Sequence, residues 1–199
     1  LEGRRAQFVD EIVAVTGVSK VKADKEVTDS VDRLVWYAGW TDKIASLAGS
    51  TNPVSGPFYN FTIPESIGVV AAIAPEAPSL LGLIDCVAPI ITSGNTVVVL
   101  ASTDAPLSAM TFAEVLATSD LPHGVINILT GKKKEIAPWM ASHMDIDALD
   151  ISGLPAKMHS EIKVAGAENL KRIHSFKSAD PGRIIAFMEA KTVWHPIGL

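Results

Sequence analysis

The sequence of 199 residues has a single cysteine, Cys86, and no surplus of positive charge. One cysteine excludes a disulfide scaffold or a cysteine-rich zinc site, and one reduced thiol is typical of the cytosol. The 17 Lys and Arg residues stand against 22 Asp and Glu, a net charge of −5, so the chain lacks the positive balance that meets nucleic-acid phosphates. Apolar residues make up 48%, which excludes a disordered chain. A globular domain with a buried core remains.

Long apolar runs are also missing. The most apolar stretch, residues 67–101, is interrupted by Pro75, Glu76, Pro78, Asp85, Pro89, Gly94 and Asn95. A membrane-spanning helix needs about 20 mostly apolar residues in succession, so we predict no membrane association. The charged start LEGRRAQFVDEI is unlike a secretory signal peptide. Because the chain opens at Leu1 rather than at methionine, we expect it to be a piece of a longer polypeptide.

Short runs rich in valine and isoleucine alternate with helical patterns from residue 67 onward. Such runs are typical of strands that are buried on both faces of a parallel sheet. Strands are predicted at 67–75, 94–102, 125–131, 146–152 and 170–176, and helices at 79–94, from 106, at 134–143 and at 155–168. Upstream we predict helices at 4–17 and 22–48, a loop at 50–57 and a strand at 58–62. The alternation predicts an α/β fold with a parallel sheet, right-handed crossovers and flanking helices.

Few residues form a pattern that is typical of catalysis. Cys86 lies within a predicted apolar helix with no histidine nearby in sequence, so we interpret it as a core residue rather than a nucleophile. The histidines do not pair at metal-binding spacing; they stand at positions 123, 143, 159, 174 and 195. Asp145, Asp147 and Asp150 alternate with apolar residues and are predicted to form a solvated strand entrance rather than a metal site.

Three consecutive lysines, Lys132 to Lys134, follow Gly131 where a predicted strand passes into a helix. In a doubly wound sheet ligands bind at such junctions, and a helix N-terminus favours anions. However, the sequence has neither a GxGxxG nor a P-loop motif here. We therefore interpret the lysines as a solvated basic loop, and keep an anion site as the alternative.

Several stretches resemble the aldehyde dehydrogenase superfamily, in the family's order along the chain. They are EVTDSVDRLVWYAGWTDKI (26–44), IPESIGVVAAIAPEAPSLL (63–81), GNTVVVLASTDAPLSA (94–109), LPHGVINILTG (121–131), SHMDIDALDISG (142–153) and AENLKRIHSF (167–176). The resemblance implies a Rossmann-like dinucleotide-binding domain with flanking helices. It also implies NAD as the family cofactor and NAD(P)-dependent aldehyde oxidation as the family activity.

The same alignment replaces the residues that handle cofactor and substrate in the family. The oxyanion-binding asparagine, the two ribose-binding residues, the pyrophosphate-contacting serine and the general-base glutamate fall at Ala77, Leu100, Thr103, Leu154 and about Phe176. An alanine side chain cannot donate a hydrogen bond to an oxyanion. The resemblance therefore implies no catalytic residue, no metal and no expected cofactor. It leaves a vestigial pocket at Ile73, Ala74, Pro75, Glu76, Leu100, Ala101, Ser102, Gly131, Lys132, Ser152 and Gly153.

The C-terminal MEAKTVWHP (188–196) resembles the family's closing strand, which belongs to a small β oligomerisation arm. We predict N-terminal helices and a dinucleotide-binding-like domain over 1–180, and an arm made of 57–73 with 183–199. The family's catalytic domain is missing between these two parts. A two-module branch of the superfamily, often called family 16, has such a degenerate second module, and the chain resembles it.

Three hypotheses on function remain open. The chain is a non-catalytic module that assembles or stabilises a larger NAD-dependent aldehyde dehydrogenase, a nucleotide- or anion-binding module, or a fragment of an active aldehyde oxidoreductase. A free edge strand at 188–194 predicts a homodimer, or pairing with an active aldehyde dehydrogenase module, because such edges invite another strand. We expect the protein to be cytoplasmic.

Overall fold

The computed structural model describes residues 1–198, so Leu199, the last residue of the predicted arm, lies outside the described residues. After a short 3₁₀ helix at Glu2–Arg4, the helices are α1 (Arg5–Thr16), α2 (Lys20–Ala38), α3 (Ile44–Ala48), α4 (Ser79–Thr92), α5 (Leu107–Ala117), α6 (Lys133–Ser142), α7 (Ala156–Ala167) and α8 (Gly182–Ile185). The strands are β1 (Ser50–Asn52), β2 (Phe58–Ser66), β3 (Val69–Ile73), β4 (Thr96–Leu100), β5 (Ile126–Leu129), β6 (Ala148–Asp150), β7 (Arg172–His174) and β8 (Met188–Pro196).

Five parallel strands form the central sheet, in the order β5-β4-β3-β6-β7. β3 lies in the middle, with β4 on one side and β6 on the other. The chain therefore first winds outward through β4 and β5, then returns to the other side of β3 for β6 and β7. This reversal between β3 and β6 is the topological switch point, where open parallel sheets usually bind ligands. The α/β fold with flanking helices is as the sequence predicts.

Both faces of this sheet are covered, which explains its valine-rich strands. On one face, Val70 and Ala72 of β3 pack in a core that includes Leu83 and Val87 of α4 and residues of α1, α2 and α5. On the other face, Ala71 packs in a second core with residues of α6 and α7. Successive strand residues point to opposite faces, so a strand covered on both sides is apolar at every position.

β1, β2 and β8 form a separate three-stranded antiparallel sheet, in the order β1-β2-β8, which we call the arm. The predicted arm segment 57–73 is too long, because residues 69–73 form β3 at the centre of the parallel sheet. The predicted segment 183–199 likewise begins with α8, and only 188–196 is strand. The loop predicted over 50–57 is wrong for residues 50–52, which pair with β2.

The long helix predicted at 22–48 is wrong in one respect, since it is two helices. α2 ends at Ala38, and a turn that contains Gly39 separates it from α3. Aromatic packing holds this turn: the ring of Trp36 makes edge contacts with Tyr37 and Trp40, at centroid distances of 4.8 and 5.8 Å. In residues 1–198 no helix is both long and apolar enough to cross a membrane.

Candidate functional site

The candidate site is the crevice at the carboxyl ends of β3, β4 and β6. Of the residues predicted to line a vestigial pocket, those at the strand ends are fully buried behind it: Ile73, Ala74, Leu100 and Ala101. The loops that follow the strands bring together the remaining ones, with Pro75 and Glu76 facing Ser152 and Gly153 across a cavity of about 380 Å³. Ser102 adjoins the cavity through its hydrogen bond to Glu76, and Gly131 is joined to the same loop through Thr103. Lys132 is exposed and does not line the cavity.

The base of the crevice is closed by backbone packing at the switch point. Gly153 donates its N–H to the Ile73 carbonyl at 2.9 Å. A Cβ atom on Gly153 would lie 2.2 Å from the carbonyl oxygen of Ala74, which no real contact allows. The loop after β6 therefore rests directly on the end of β3, and glycine is required there because of this close approach.

Glu76 occupies the upper part of the crevice. Its Oε2 accepts hydrogen bonds from the Ser102 hydroxyl at 2.8 Å and from the N–H groups of Thr103 and Asp104 at 2.8 and 3.1 Å. Its Oε1 lies 2.7 Å from the Lys133 ammonium. Burial raises the pKa of the Glu76 carboxyl, but the hydrogen bonds from Lys133 and Ser102 outweigh it, so the pKa lies below its usual range. Glu76 is thus held as a carboxylate.

Lys133 differs from its two neighbours. Its side chain is only 7% exposed, and besides Glu76 its ammonium contacts the Gly153 carbonyl at 3.3 Å. The interpretation of residues 132–134 as a solvated loop is therefore wrong for Lys133, since the helical turn directs this one side chain into the crevice. Lys132 is exposed and lies 3.3 Å from Glu135. Lys132 and Lys133 therefore each have a carboxylate partner within the chain, Glu135 and Glu76. Their charges give no support to the alternative of an anion site at residues 132–134.

A second polar group lies behind the crevice. Asp150, at the end of β6, is fully buried and forms an ion pair with Arg183 of α8 at 2.7 Å. Ser152 also donates its backbone N–H, at 2.9 Å, and its hydroxyl to Asp150. The prediction of a solvated strand entrance is therefore wrong for Asp150, because Arg183 supplies a charge partner in the interior. No local pattern reveals Arg183 in advance, since it lies 33 residues further along the chain.

Cys86 lies in the core, as predicted. It is 1% exposed, and its Sγ is 3.9 Å from the Ile73 carbonyl. Burial raises the pKa of the thiol above its ordinary range, with the Asp150 carboxylate adding to the effect. A thiol of this kind is not a nucleophile, because the thiolate is the reactive form. Among the described residues, no group of three or more His, Cys, Asp and Glu side chains is placed to hold a metal ion.

The positions that carry the family's cofactor contacts have other partners in this structure. Leu100 is buried in the core beneath the crevice. The Thr103 hydroxyl donates to the Gly131 carbonyl at 2.9 Å and so joins two neighbouring loops. Leu154 is also buried, in the core on the α6 and α7 face. These side chains consolidate the loops above the sheet and present few polar groups to the crevice.

The fold and the crevice are those of a dinucleotide-binding type of α/β domain. Comparison with known proteins identifies the family: the model of the aldehyde dehydrogenase family matches residues 1–177. Aldehyde dehydrogenase 1A1 of Rattus norvegicus is 36% identical over 165 residues, 81% of this chain and 32% of that protein. Retinal dehydrogenase 2 of Homo sapiens is 38% identical over 138 residues, 69% of this chain and 26% of that protein. The chain belongs to the aldehyde dehydrogenase family.

Solved structures agree with this fold. PnpE from Pseudomonas sp. WBC-3 superposes with a TM-score of 0.81 at 28% identity, over 86% of this chain and 35% of that chain. A betaine aldehyde dehydrogenase point mutant from Staphylococcus aureus, solved with NAD+, superposes with a TM-score of 0.80 at 22% identity. The superposition covers 86% of this chain and 34% of that chain. The Rossmann-like fold is therefore confirmed, and the chain spans about a third of the length of the relatives that it matches.

Proposed function

We propose that the chain is a non-catalytic aldehyde-dehydrogenase-like module that assembles or stabilises a larger NAD-dependent aldehyde dehydrogenase. In this proposal it corresponds to the degenerate second module of a two-module, family-16-like enzyme, in the cytoplasm. The observation that carries the proposal is the outer edge of β8, whose backbone groups have no strand beside them within residues 1–198. An edge of this kind is a template for pairing with another chain.

The contents of the crevice support the non-catalytic part of the proposal. Cys86 is buried with a raised pKa, and the side chain of Ala77 has no hydrogen-bond donor for an oxyanion. The ion pair of Glu76 and Lys133 fills space above the strand ends where a dinucleotide would bind. We infer that the chain itself takes no NAD, although NAD is the family cofactor. Aldehyde oxidation with NAD by the 199-residue chain tests this part, and turnover would contradict it.

The hydrogen-bond register shows which groups of β8 point outward. β2 and β8 pair antiparallel, and Ile197 donates its N–H to the Pro57 carbonyl directly opposite, at 2.9 Å. Hydrogen-bonded and non-bonded pairs alternate along such a ladder, so the odd-numbered residues of β8 bond to β2. The even-numbered ones point away, and Arg172 indeed contacts the Met188 carbonyl from that side at 2.8 Å. The backbone of Ala190, Thr192 and Trp194 is therefore free for another strand.

A second copy of the chain fits this edge. In such a dimer the two β8 strands pair antiparallel around a two-fold axis at Thr192, so each residue faces the one whose number, added to its own, gives 384. The outward backbone groups of Ala190 then meet those of Trp194 in the second copy. Glu189 then lies opposite His195, and Lys191 lies opposite Val193 rather than opposite another lysine. The Trp194 indole is exposed, and its ring centroid lies 5.8 Å from that of Phe58. The added strand would cover it. We therefore propose a homodimer in which two arms form one continuous sheet.

The test replaces one outward N–H. In Thr192→Pro the lost N–H faces solvent, so the β2 pairing survives, as prolines are tolerated on the open side of an edge strand. We expect light scattering at micromolar concentration to show a dimer for the wild type and a monomer for Thr192→Pro. The matched control is Thr192→Ala, which loses the same 3.0 Å contact with Thr62 but keeps the N–H, and should remain dimeric. A monomeric wild type, or a dimeric proline variant, would refute self-association through this edge.

A further inference from the structure

The donors around Glu76 form a complete site for a small oxyanion. Two backbone N–H groups, one hydroxyl and one ammonium converge on the two carboxylate oxygens, at distances between 2.7 and 3.1 Å. These four donors come from the loop 102–104 after β4 and from Lys133 at the start of α6. Charge-assisted hydrogen bonds of this kind are about twice as strong as neutral ones. Glu76 itself comes from a different segment, the loop after β3, and enters this site as a bound carboxylate would.

The site is held in shape by contacts that do not involve Glu76. The Ser102 hydroxyl also accepts from the Ala105 N–H at 3.0 Å, and the Thr103 hydroxyl donates to the Gly131 carbonyl at 2.9 Å. The ammonium of Lys133 has a further partner in the Gly153 carbonyl. The donors therefore stay in position when the carboxylate is removed. The buried ammonium of Lys133 would then lack a counter-charge, which is costly in the protein interior.

We propose that Glu76 is an internal ligand, and that the loop 102–104 and Lys133 form a carboxylate site which the native chain keeps occupied. The glutamate side chain joins three loops at the strand ends, where an anionic ligand would otherwise be needed to join them. A small free carboxylate takes its place only when the Glu76 side chain is shortened. It can enter because Glu76 is 39% exposed and lines a cavity of about 380 Å³. Lys134 and Lys157 line the same cavity and favour the entry of an anion.

Chemical rescue tests the proposal. In Glu76→Ala we expect the midpoint of thermal unfolding to fall by about 4–8 °C in chloride buffer, since several charge-assisted hydrogen bonds are lost. Sodium formate at about 100 mM, compared with sodium chloride at equal ionic strength, should restore roughly half of that loss or more by binding the folded state. The wild type should gain nothing from formate over chloride, because its site is already filled.

Two variants separate this site from a general salt effect. Glu65→Ala breaks an exposed pair with Lys191, 2.9 Å long, in which no backbone N–H of residues 1–198 donates to the carboxylate, and formate should not rescue it. Adding Lys133→Met to Glu76→Ala should abolish the rescue, because the cation is gone. If Glu76→Ala does not fold in chloride, refolding in formate should recover soluble protein. Equal effects of formate and chloride on Glu76→Ala, in midpoint or in refolding yield, would overturn the proposal. Each comparison is between formate and chloride for one variant at one protein concentration, so the rescue can succeed or fail whether or not the chains associate through the arm.

Discussion

The ion pair between Asp150 and Arg183 joins the C-terminal segment to the parallel sheet. Both side chains are almost completely buried, at 0% and 4% exposure, and their charged atoms are 2.7 Å apart. The Arg183 guanidinium also lies over the ring of Phe176, 4.8 Å from its centroid. α8 is followed within a few residues by β8, so this pair holds the start of the arm strand against the sheet. We expect Arg183→Met to be among the most destabilising single substitutions that preserve side-chain volume.

The expected magnitude follows from burial. Removing one partner of a buried ion pair costs about 3–5 kcal/mol, because the other charge is left without compensation. Ser152 keeps two hydrogen bonds to Asp150, so we place Arg183→Met near the lower end, at about 3 kcal/mol. With a urea dependence of about 2–3 kcal/mol per molar for a chain of this size, the unfolding midpoint falls by about 1–1.5 M. Far-UV circular dichroism can follow the transition, since residues 1–198 contain eight α-helices.

A double variant of the buried pair and a control variant at an exposed pair test this prediction. In Asp150→Asn with Arg183→Met neither charge of this buried pair remains, so the double variant should be more stable than Arg183→Met alone by about 1 kcal/mol or more. Arg172→Met breaks the exposed pair with Glu189, 2.6 Å long, and the hydrogen bond to the Met188 carbonyl, and together these losses should cost no more than about 2 kcal/mol. If Arg183→Met costs no more than Arg172→Met, or if the two substitutions at Asp150 and Arg183 simply add, the assigned role of the buried pair is wrong.

Three further predictions concern the interior of the domain. Burial lowers the pKa of His174 from 6.5, so below that pH the unfolded chain binds a proton that the folded chain does not. The free energy of unfolding should therefore fall as the pH decreases from about 6.5. His174→Gln should reduce the difference in this free energy between urea titrations at pH 7.5 and 5.5. An unchanged difference would contradict the lowered pKa of His174. The buried Cys86 thiol should react with a disulfide reagent only after denaturation, and rapid labelling of the native chain would be inconsistent with its environment. Gly153→Ala should cost about 3 kcal/mol or more in urea unfolding, because its Cβ would lie 2.2 Å from the Ala74 oxygen, whereas Gly3→Ala, with open space around it, should be nearly neutral.

Local patterns predicted most of the helices and strands. The valine-rich runs at β3 and β4 are apolar at nearly every position because two layers of helices cover them, and that signal is present in the sequence itself. The resemblance to aldehyde dehydrogenases likewise depends on linear motifs, and the family model confirms it over residues 1–177. The interpretation of Cys86 as a core residue is confirmed, because a cysteine in an apolar helix is usually buried. The prediction of one helix over 22–48 is wrong because the apolar stripe at Val31, Leu34, Val35 and Ala38 does not extend beyond Gly39, where α2 ends.

The site was predicted as a set of neighbouring residues, but not as a set of interactions. Its location follows from the resemblance to the family, whose motifs include the predicted residues at the ends of successive strands. The pairing of Glu76 with Lys133, and of Asp150 with Arg183, depends on which side chains meet across loops far apart in the chain. A run of three lysines carries no mark that singles out Lys133, because the direction of each side chain is set by the first turn of α6.

Periodicity and linear motifs are therefore sufficient to predict the family, the order of the elements and the apolar core. No linear motif indicates what fills the crevice or where the arm begins. Both depend on contacts between segments distant in sequence: a carboxylate drawn into a ring of donors, and a strand whose alternate backbone groups face β2 or solvent. Charge and hydrogen-bond partners in a folded chain are chosen by distance in space, and linear order does not record that distance.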